Sequence, residues 1–417
     1  MQLIMYVLWV TYFFSLFFAV FWLMTFLTEG VGSKHKKLKR YPLVSVVMPA
    51  YNEEESILES IKSVLQLDYP RNKLEMVVVN DGSQDKTRQK VEDFIQTVKD
   101  FNIKLINKKN GGKGSALNAG LRKIKGEYFV CLDADSFVQS NALKKLLPHF
   151  DREDVAAVLP ALKVSKKKSN LLQKMQHYEY VINMFYKELM SKLDCIRVTP
   201  GPFSVYKASI LKKMGGFDED RNLTEDLEMA LRLQSHHYKL VQVLNTHVST
   251  IAPRTFKGVY KQRNRWYKGS VLNTLKYKKM LLNKKYGDFG LMEMPTTLIS
   301  GAIALVLLFS LVYYTAKPII KNFYHLSLVN FDILTFIKNW ALKFHILDLN
   351  YSLIVVGVIM LLITLYVLRK SHIINKEKVF RFGFIPLIFY LLMYFVILSL
   401  VWLGIAFDFV LARRQKW

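Results

Sequence analysis

Two aspartates one residue apart, Asp133 and Asp135, close the run EYFVCLDADSF. Paired carboxylates at a strand end are costly unless something positive shares the place. On an extended chain, side chains two apart point to one side, so the pair can share a divalent cation with a diphosphate. Oxygen ligands and phosphate suit Mg2+ or Mn2+. Further along, Thr224-Glu225-Asp226 opens a helical pattern. Thr224 there is either a plain cap or the lead-in to two acids, Glu225 and Asp226, of which Asp226 is the best candidate base. In KQRNRWYKG, Gln262, Arg265 and Trp266 fall within one helical turn. Arg265 can neutralise a departing diphosphate bidentately and the Trp266 ring offers a platform for a sugar face, but a basic interfacial helix with an aromatic anchor would read the same way.

Three more constellations precede these. NDGS (80 to 83) puts Asp81 at a strand end, where it can accept from a base N–H or a ribose hydroxyl, or make an ordinary turn. Pro49, Ala50, Tyr51, Asn52 and Glu53 follow the first strand and either shape a pocket for a flat base or cap a strand-to-helix junction. NGGKGSALNAG (110 to 120) supplies flexible backbone and Lys113 as a phosphate neighbour, without the spacing of a Walker A loop. His236, His237 and His247 lack metal-ligand spacing, as do Cys131 and Cys195, which read as reduced, buried thiols.

Positioning these groups requires a sheet. VSVVM (44 to 48), EMVVVN (75 to 80), IKLIN (103 to 107) and EYFVCLD (127 to 133) are continuous apolar, β-branched runs that read as buried strands. Candidate helices lie between them at 54 to 67, 84 to 99, 114 to 124 and 140 to 150. The pattern predicts an α/β domain, doubly wound with a mostly parallel sheet, which binds ligands at the carboxyl ends of its strands. Beyond residue 151 strands become sparser and helices longer, with strong candidates at 170 to 193 and 224 to 234.

The 417 residues are 51% hydrophobic and 13% aromatic, enough for such a domain with well over 100 residues to spare. Residues 3 to 27 carry no charge, the length of a span, and end without a cleavage signal. Lys34, Lys36, Lys37, Lys39 and Arg40 follow and predict that the next domain stays in the cytoplasm. Further spans are expected near 289 to 314, 351 to 368 and 384 to 407, with transmembrane helices joined by an interfacial stretch, DILTFIKNWALKFHI (332 to 346). One anchor and three spans leave the C-terminus outside, whereas Arg413, Arg414 and Lys416 favour inside; another element within 317 to 346 would remove the conflict. The expected division is an anchor and basic linker (1–40), a cytoplasmic catalytic domain (41–285) and a membrane region (286–417) of a multi-pass cell-membrane protein. The formal charge of +26 is spread over membrane-flanking loops and helix faces, and no zinc-finger, RNA-recognition or helix-turn-helix pattern accompanies it. Membrane lipids, not nucleic acid, are the expected polyanion.

Taken in order, Asp81, Asp133-Ala134-Asp135, Thr224-Glu225-Asp226 and Gln262-Arg263-Asn264-Arg265-Trp266 resemble the ordered motifs of the family 2 glycosyltransferases, over about residues 43 to 275. Among them the chain looks most like the polysaccharide synthases, poly-N-acetylglucosamine synthase especially. The resemblance implies a GT-A fold, inversion at the anomeric carbon, a UDP-sugar donor (UDP-N-acetylglucosamine or UDP-glucose) and a divalent metal. Carried over by position, it implies that Asp81 and the 49 to 53 loop hold uridine and that Asp133 and Asp135 hold diphosphate and metal. Asp226 would be the base, with Gln262, Arg265 and Trp266 at the diphosphate and the acceptor end. Gly201 and Pro202, in VTPGPFSVY, fall where such enzymes line the acceptor site. The product is a growing polysaccharide or, as in ceramide glucosyltransferase and polyprenyl-phosphate sugar synthases, a glycosylated lipid. Four spans are few for a conduit, which leaves room for a homo-oligomer or an accessory subunit. A non-catalytic scaffold fits poorly with a complete set of acids and the arginine.

Overall fold

The computed structural model describes residues 2–32, 36–165, 169–220, 223–328, 330–332 and 351–411. Eight strands form one sheet: β1 (Val44–Ala50), β2 (Leu74–Asn80), β3 (Asn102–Asn107), β4 (Tyr128–Cys131), β5 (Ser136–Val138), β6 (Val155–Val164), β7 (Ser204–Lys207) and β8 (Lys239–Thr250), in the order β3-β2-β1-β4-β7-β6-β8-β5. Strands β3, β2, β1 and β4 are parallel, in the register Val46↔Met76 and Val46↔Val130. Strand β7 runs antiparallel to β4 and β6, β6 and β8 are parallel, and β5 is antiparallel to β8. The expected α/β sheet is therefore present, with a mixed second half whose strands β6 and β8 are longer than any in the first.

The continuous β-branched runs work because both faces of the central strands are covered. Val46, Met48, Val78 and Val130 pack on one side with Ile57 and Ile61 of α2 (Ile57–Leu65). On the other, Val47, Val77 and Val79 meet Ala116 and Leu117 of α4 (Gly112–Leu121). Each such side chain, fully removed from water, contributes about 1.5–3 kcal/mol. Helix α4 lies so close to β1 that a Cβ at Gly120 would reach 2.3 Å from Val47. The remaining helices of this half are α1 (Gln2–Glu29), which precedes the sheet, α3 (Thr87–Thr97) and α5 (Ala142–Leu146). Strand β3, expected to be buried, is the sheet edge and only half-covered.

Two helices connect the sheet to the apolar helices. Helix α6 (Leu171–Lys192) starts on a capping box, in which Asn170 accepts from the Gln173 N–H and Gln173 returns the bond. After α7 (Ala208–Lys213) and α8 (Glu225–Ser235) comes α9 (Phe256–Lys276), capped by Thr255. Both α6 and α9 lie against α12 (Phe384–Val410), and α6 also against α11 (Tyr351–Ile374). Tyr267 of α9 stacks on Trp402 at 5.1 Å, Lys268 meets Asp408 at 3.0 Å, and Lys163 meets Glu377 at 2.9 Å.

Four described helical segments are long and apolar enough to cross a membrane: Met5–Glu29, Phe289–Leu328, Tyr351–Ile374 and Phe384–Val410. The second is longer than the expected 289 to 314. A π-helical turn leads into α10 (Met294–Leu328), which continues through Pro318. At about 1.5 Å per residue it outreaches a ~30 Å hydrocarbon core by roughly half its length. Residues 333 to 346 of the expected interfacial stretch, and Arg413, Arg414 and Lys416, lie outside the described residues.

Candidate active site

Parallel strands β1, β2 and β4 bring their carboxyl ends to one edge, and the first acids gather there. Pro49 and Ala50, expected just after β1, are its last two residues; Ala50 is buried and its carbonyl accepts from the Asp81 N–H at 2.9 Å. The chain then turns at Asn52, whose φ of 57° lies in the left-handed region that asparagine tolerates. The Asn52 and Glu53 N–H groups donate to Ser83 Oγ and Thr87 Oγ1, which fixes the turn beside Asp81 and leaves Tyr51 exposed. The Asp81 carboxylate is buried and accepts from Lys108 Nζ (2.5 Å) and from the Gly111 and Gly112 N–H groups (3.1 and 2.8 Å). The glycine-rich stretch expected to be flexible (110 to 120) is thus mostly helix α4, and the Gly111 and Gly112 amides at its start point at Asp81 and not at open space.

Asp133 and Asp135 stand differently from expectation. Strand β4 ends at Cys131, and a turn closed by the Ser136 N–H on the Asp133 carbonyl (3.1 Å) carries both acids. Strand alternation therefore does not account for their proximity; the turn does. Lys113 Nζ lies 2.6 Å from Asp133 Oδ1 and 3.2 Å from Glu225. That Asp133 oxygen is buried with no directed hydrogen bond, so Lys113 meets it as an ion-pair neighbour set off the lone-pair direction. Burial and then the Asp133 charge raise the Asp135 carboxyl above its ordinary range. Burial likewise pushes Glu53 up to about 6, with Asp135 and Asp133 adding to it. Acids that repel one another around an incompletely satisfied oxygen fit a divalent cation. Among the described residues no three His, Cys, Asp or Glu side chains are grouped to hold a metal without further ligands.

Helix α8 begins with Glu225 and Asp226 in its first turn. Thr224 occupies the N-cap position without a side-chain cap bond; its hydroxyl accepts from Asn273 of α9 at 3.0 Å, tying the two helices together. Glu225 is buried against Lys113. Asp226 is half-buried, with its Oδ1 receiving the Leu227 N–H and its carbonyl the Thr199 hydroxyl. Burial, then Glu225, push the Asp226 carboxyl up to about 6 against the pull of Lys113 and Arg265. For Lys113, burial is opposed by Asp133 and Glu225, which hold it well above the ordinary lysine range.

On α9 the motif divides its labour. Arg265 donates to the Leu223 carbonyl at 3.1 Å, just before the two acids, and the rest of its guanidinium has no hydrogen-bond partner among the described residues. Gln262 accepts from Arg263 at 2.6 Å. Arg263, which sequence reasoning passed over, is fully buried: it pairs with Glu179 of α6 at 2.5 Å and stacks 4.2 Å from the Trp266 ring centroid. Tyr394 of α12 donates to the same Glu179 at 2.8 Å. A helix-borne acid eighty-four residues away in sequence leaves no local signal for this pairing.

Gly201 joins the same cluster, and Pro202 is the buried residue that follows it. A Cβ on Gly201 would come within 2.6 Å of both Asp133 carboxylate oxygens, and the following Phe203 is buried at φ 59°. Gly201→Ala should therefore displace Asp133 or Lys113 and cost at least tenfold in turnover, with the thermal midpoint moved by only a few degrees. Steady-state rates alongside thermal unfolding check this. Phe203 in the left-handed region is a strain of about 1–3 kcal/mol, held by its packing.

Residues 45–215 match the model of glycosyl transferase family 2. Two poly-β-1,6-N-acetyl-D-glucosamine synthases of Staphylococcus epidermidis are each 30% identical, over 271 and 291 residues that cover 62% and 65% of this chain. The aligned chain spans about two thirds of these curated relatives, 64% of one and 68% of the other. A probable glycosyltransferase of Bacillus subtilis is 31% identical over 258 residues, 61% of each chain. Among solved structures, a mannosyltransferase from Pyrobaculum calidifontis in complex with GDP-Man and Mn2+ shares the fold with a TM-score of 0.58 at 20% identity, over 90% of this chain and 96% of its own.

Proposed function

Since the chain belongs to glycosyl transferase family 2, we propose that it is an inverting, UDP-sugar-dependent membrane glycosyltransferase that extends a β-linked polysaccharide. UDP-N-acetylglucosamine is the favoured donor, because that sugar appears in the names of the two Staphylococcus epidermidis relatives. The observation that carries the reading is the convergence of Asp133, Glu225, Asp226 and Arg265 on Lys113 and the adjoining turn, from three separate stretches of chain.

In this reading Asp81, with the turn at 51 to 53, receives the uracil; its carboxylate retains acceptor capacity beyond the three donors it already has. Asp133 and Asp135 would hold Mg2+ or Mn2+ with the diphosphate, and a cation bound there supplies charge neutralisation of the leaving group. Lys113 lies beside Asp133, ready to follow the diphosphate, and Arg265 offers its free guanidinium edge to the same oxygens. Asp226 takes the proton of the acceptor hydroxyl, whose oxygen attacks the anomeric carbon opposite the nucleotide. No covalent enzyme intermediate is required. Trp266, braced by Arg263, forms the wall against which the acceptor sugar lies.

The division into an anchor and linker (1–40), a catalytic domain (41–285) and a membrane region (286–417) is part of the same proposal, as is a cytoplasmic position for the catalytic domain in a multi-pass protein. Contacts of α6 and α9 with α12 support passage of the product toward the membrane helices. Transfer of one sugar to a lipid is the competing outcome. Sizing the product made from labelled UDP-sugar separates the two: long, lipid-independent chains support the synthase, and a single sugar on an extractable lipid overturns it.

A further inference from the structure

Helix α6 carries three buried charged side chains. Glu179 is paired with Arg263 and Tyr394, and Glu188 accepts the Gly32 N–H at 2.8 Å. The third, Lys187, is 7% exposed and makes no hydrogen bond or ion pair among the described residues. It lies on the helix face of Tyr180 and Met184, seven and three positions earlier, both buried, and Tyr180 packs against Trp266. The charges that act on Lys187 through space are Asp226, which attracts its ammonium, and Arg197, which repels it. Arg197 is already committed to Glu293 at 3.2 Å, to Ser270 at 3.1 Å and to Thr297, so it gives Lys187 nothing.

We infer that Lys187 is an acceptor-binding residue, whose amine hydrogen-bonds hydroxyls of the terminal acceptor sugar beside the one that Asp226 deprotonates. The inference rests on the transferase reading above and assigns it a residue that no sequence motif marks. The stem of Lys187 is buried while its amine nitrogen keeps an opening and has no partner among the described residues, so a ligand can reach it; a methionine of similar volume would offer that ligand no bond. Burial, moderated by Asp226 and aided by Arg197, pushes the amine down to about 7, so near neutral pH it can both donate to and accept from sugar hydroxyls.

The test uses the full-length protein in detergent with UDP-N-acetylglucosamine and a β-1,6-linked N-acetylglucosamine oligosaccharide as added acceptor. Lys187→Met is expected to raise the KM for the oligosaccharide about ten- to a hundredfold, the loss typical of a bond to a charged group. The donor KM should change less than twofold, and the thermal midpoint should be unchanged or higher. An unchanged acceptor KM overturns the inference, and so does a lowered midpoint with both KM values altered, the mark of a merely structural lysine. Lys187→Gln is read by the same criteria if Lys187→Met does not survive purification. A wild type that transfers nothing to the oligosaccharide removes the reading of a polymer built on this sugar and the inference with it; a wild type that transfers normally while the variant matches it removes the inference alone.

Discussion

Asp226→Asn should lower transfer by about 10²- to 10⁴-fold while UDP-sugar binding changes little, because general-base help is worth about that much and the amide keeps the shape of the carboxylate. The Leu227 N–H that now donates to Asp226 Oδ1 can donate to the amide oxygen, so the fold of α8 should not move. Rates from UDP release, set against donor affinity from titration, separate the two effects. The wild-type pH profile belongs to the same prediction. Activity needs the carboxylate, so it should fall as pH drops through about 6 and level off above it. The sign for stability is opposite: a carboxyl raised from its ordinary 3.8 to about 6 favours the protonated folded state, so this group's contribution weakens as pH rises across that interval. An ionised Asp226 at neutral pH is a strained group maintained by Lys113 and Arg265, and its basicity is what makes it useful. Asp226→Asn with wild-type rates, or a wild-type acid limb near its ordinary value, would remove it from the base role.

Arg263→Met should cost about 3–5 kcal/mol, seen as a large drop in the thermal midpoint of the detergent-solubilised protein. The guanidinium is fully buried, and its loss would strand the Glu179 carboxylate with only the Tyr394 hydroxyl. It would also remove the cation stacked on Trp266, so any surviving protein should bind acceptor poorly. Replacing both partners, Glu179→Leu with Arg263→Met, should recover much of the stability, because an apolar pair leaves no buried charge unpaired. If Arg263→Met alone leaves the midpoint within a degree or two, α9 is not anchored to α6 and α12 through this pair.

The two classes of prediction draw on unequally legible parts of the chain. Strands β1 and β2 and helices α6 and α8 stand within a few residues of where apolar periodicity and caps put them, since local pattern and tertiary burial agree there. The acids of the site were visible because Asp and Glu adjoining continuous apolar runs are conspicuous. What could not be read is everything set by pairing across long separations. Strand β7 enters between β4 and β6 because of how 204–207 meets 128–131, and no local signal announces antiparallel insertion. The turn at Asp133 to Ser136 interrupts what looked like one extended strand, because Ala134 and Asp135 give up ladder bonds for a turn closed on the Asp133 carbonyl. Lys113 was legible as a phosphate neighbour, whereas its pairing with Asp133 and Glu225 depends on α4 and α8 meeting over Gly201. Glu179, Lys187 and Arg197 carried no signal beyond being charged residues among apolar ones, and their significance lies in which of them the fold leaves paired.

The most direct test of the central claim is to incubate the purified full-length protein with Mg2+ or Mn2+ and a panel of UDP-sugars, follow UDP release, and size the labelled product with and without added membrane lipid. The account predicts metal-dependent UDP release with UDP-N-acetylglucosamine and a product of long, lipid-independent chains. UDP release from none of the sugars would contradict the transferase reading, and a single sugar on an extractable lipid would contradict the polymer.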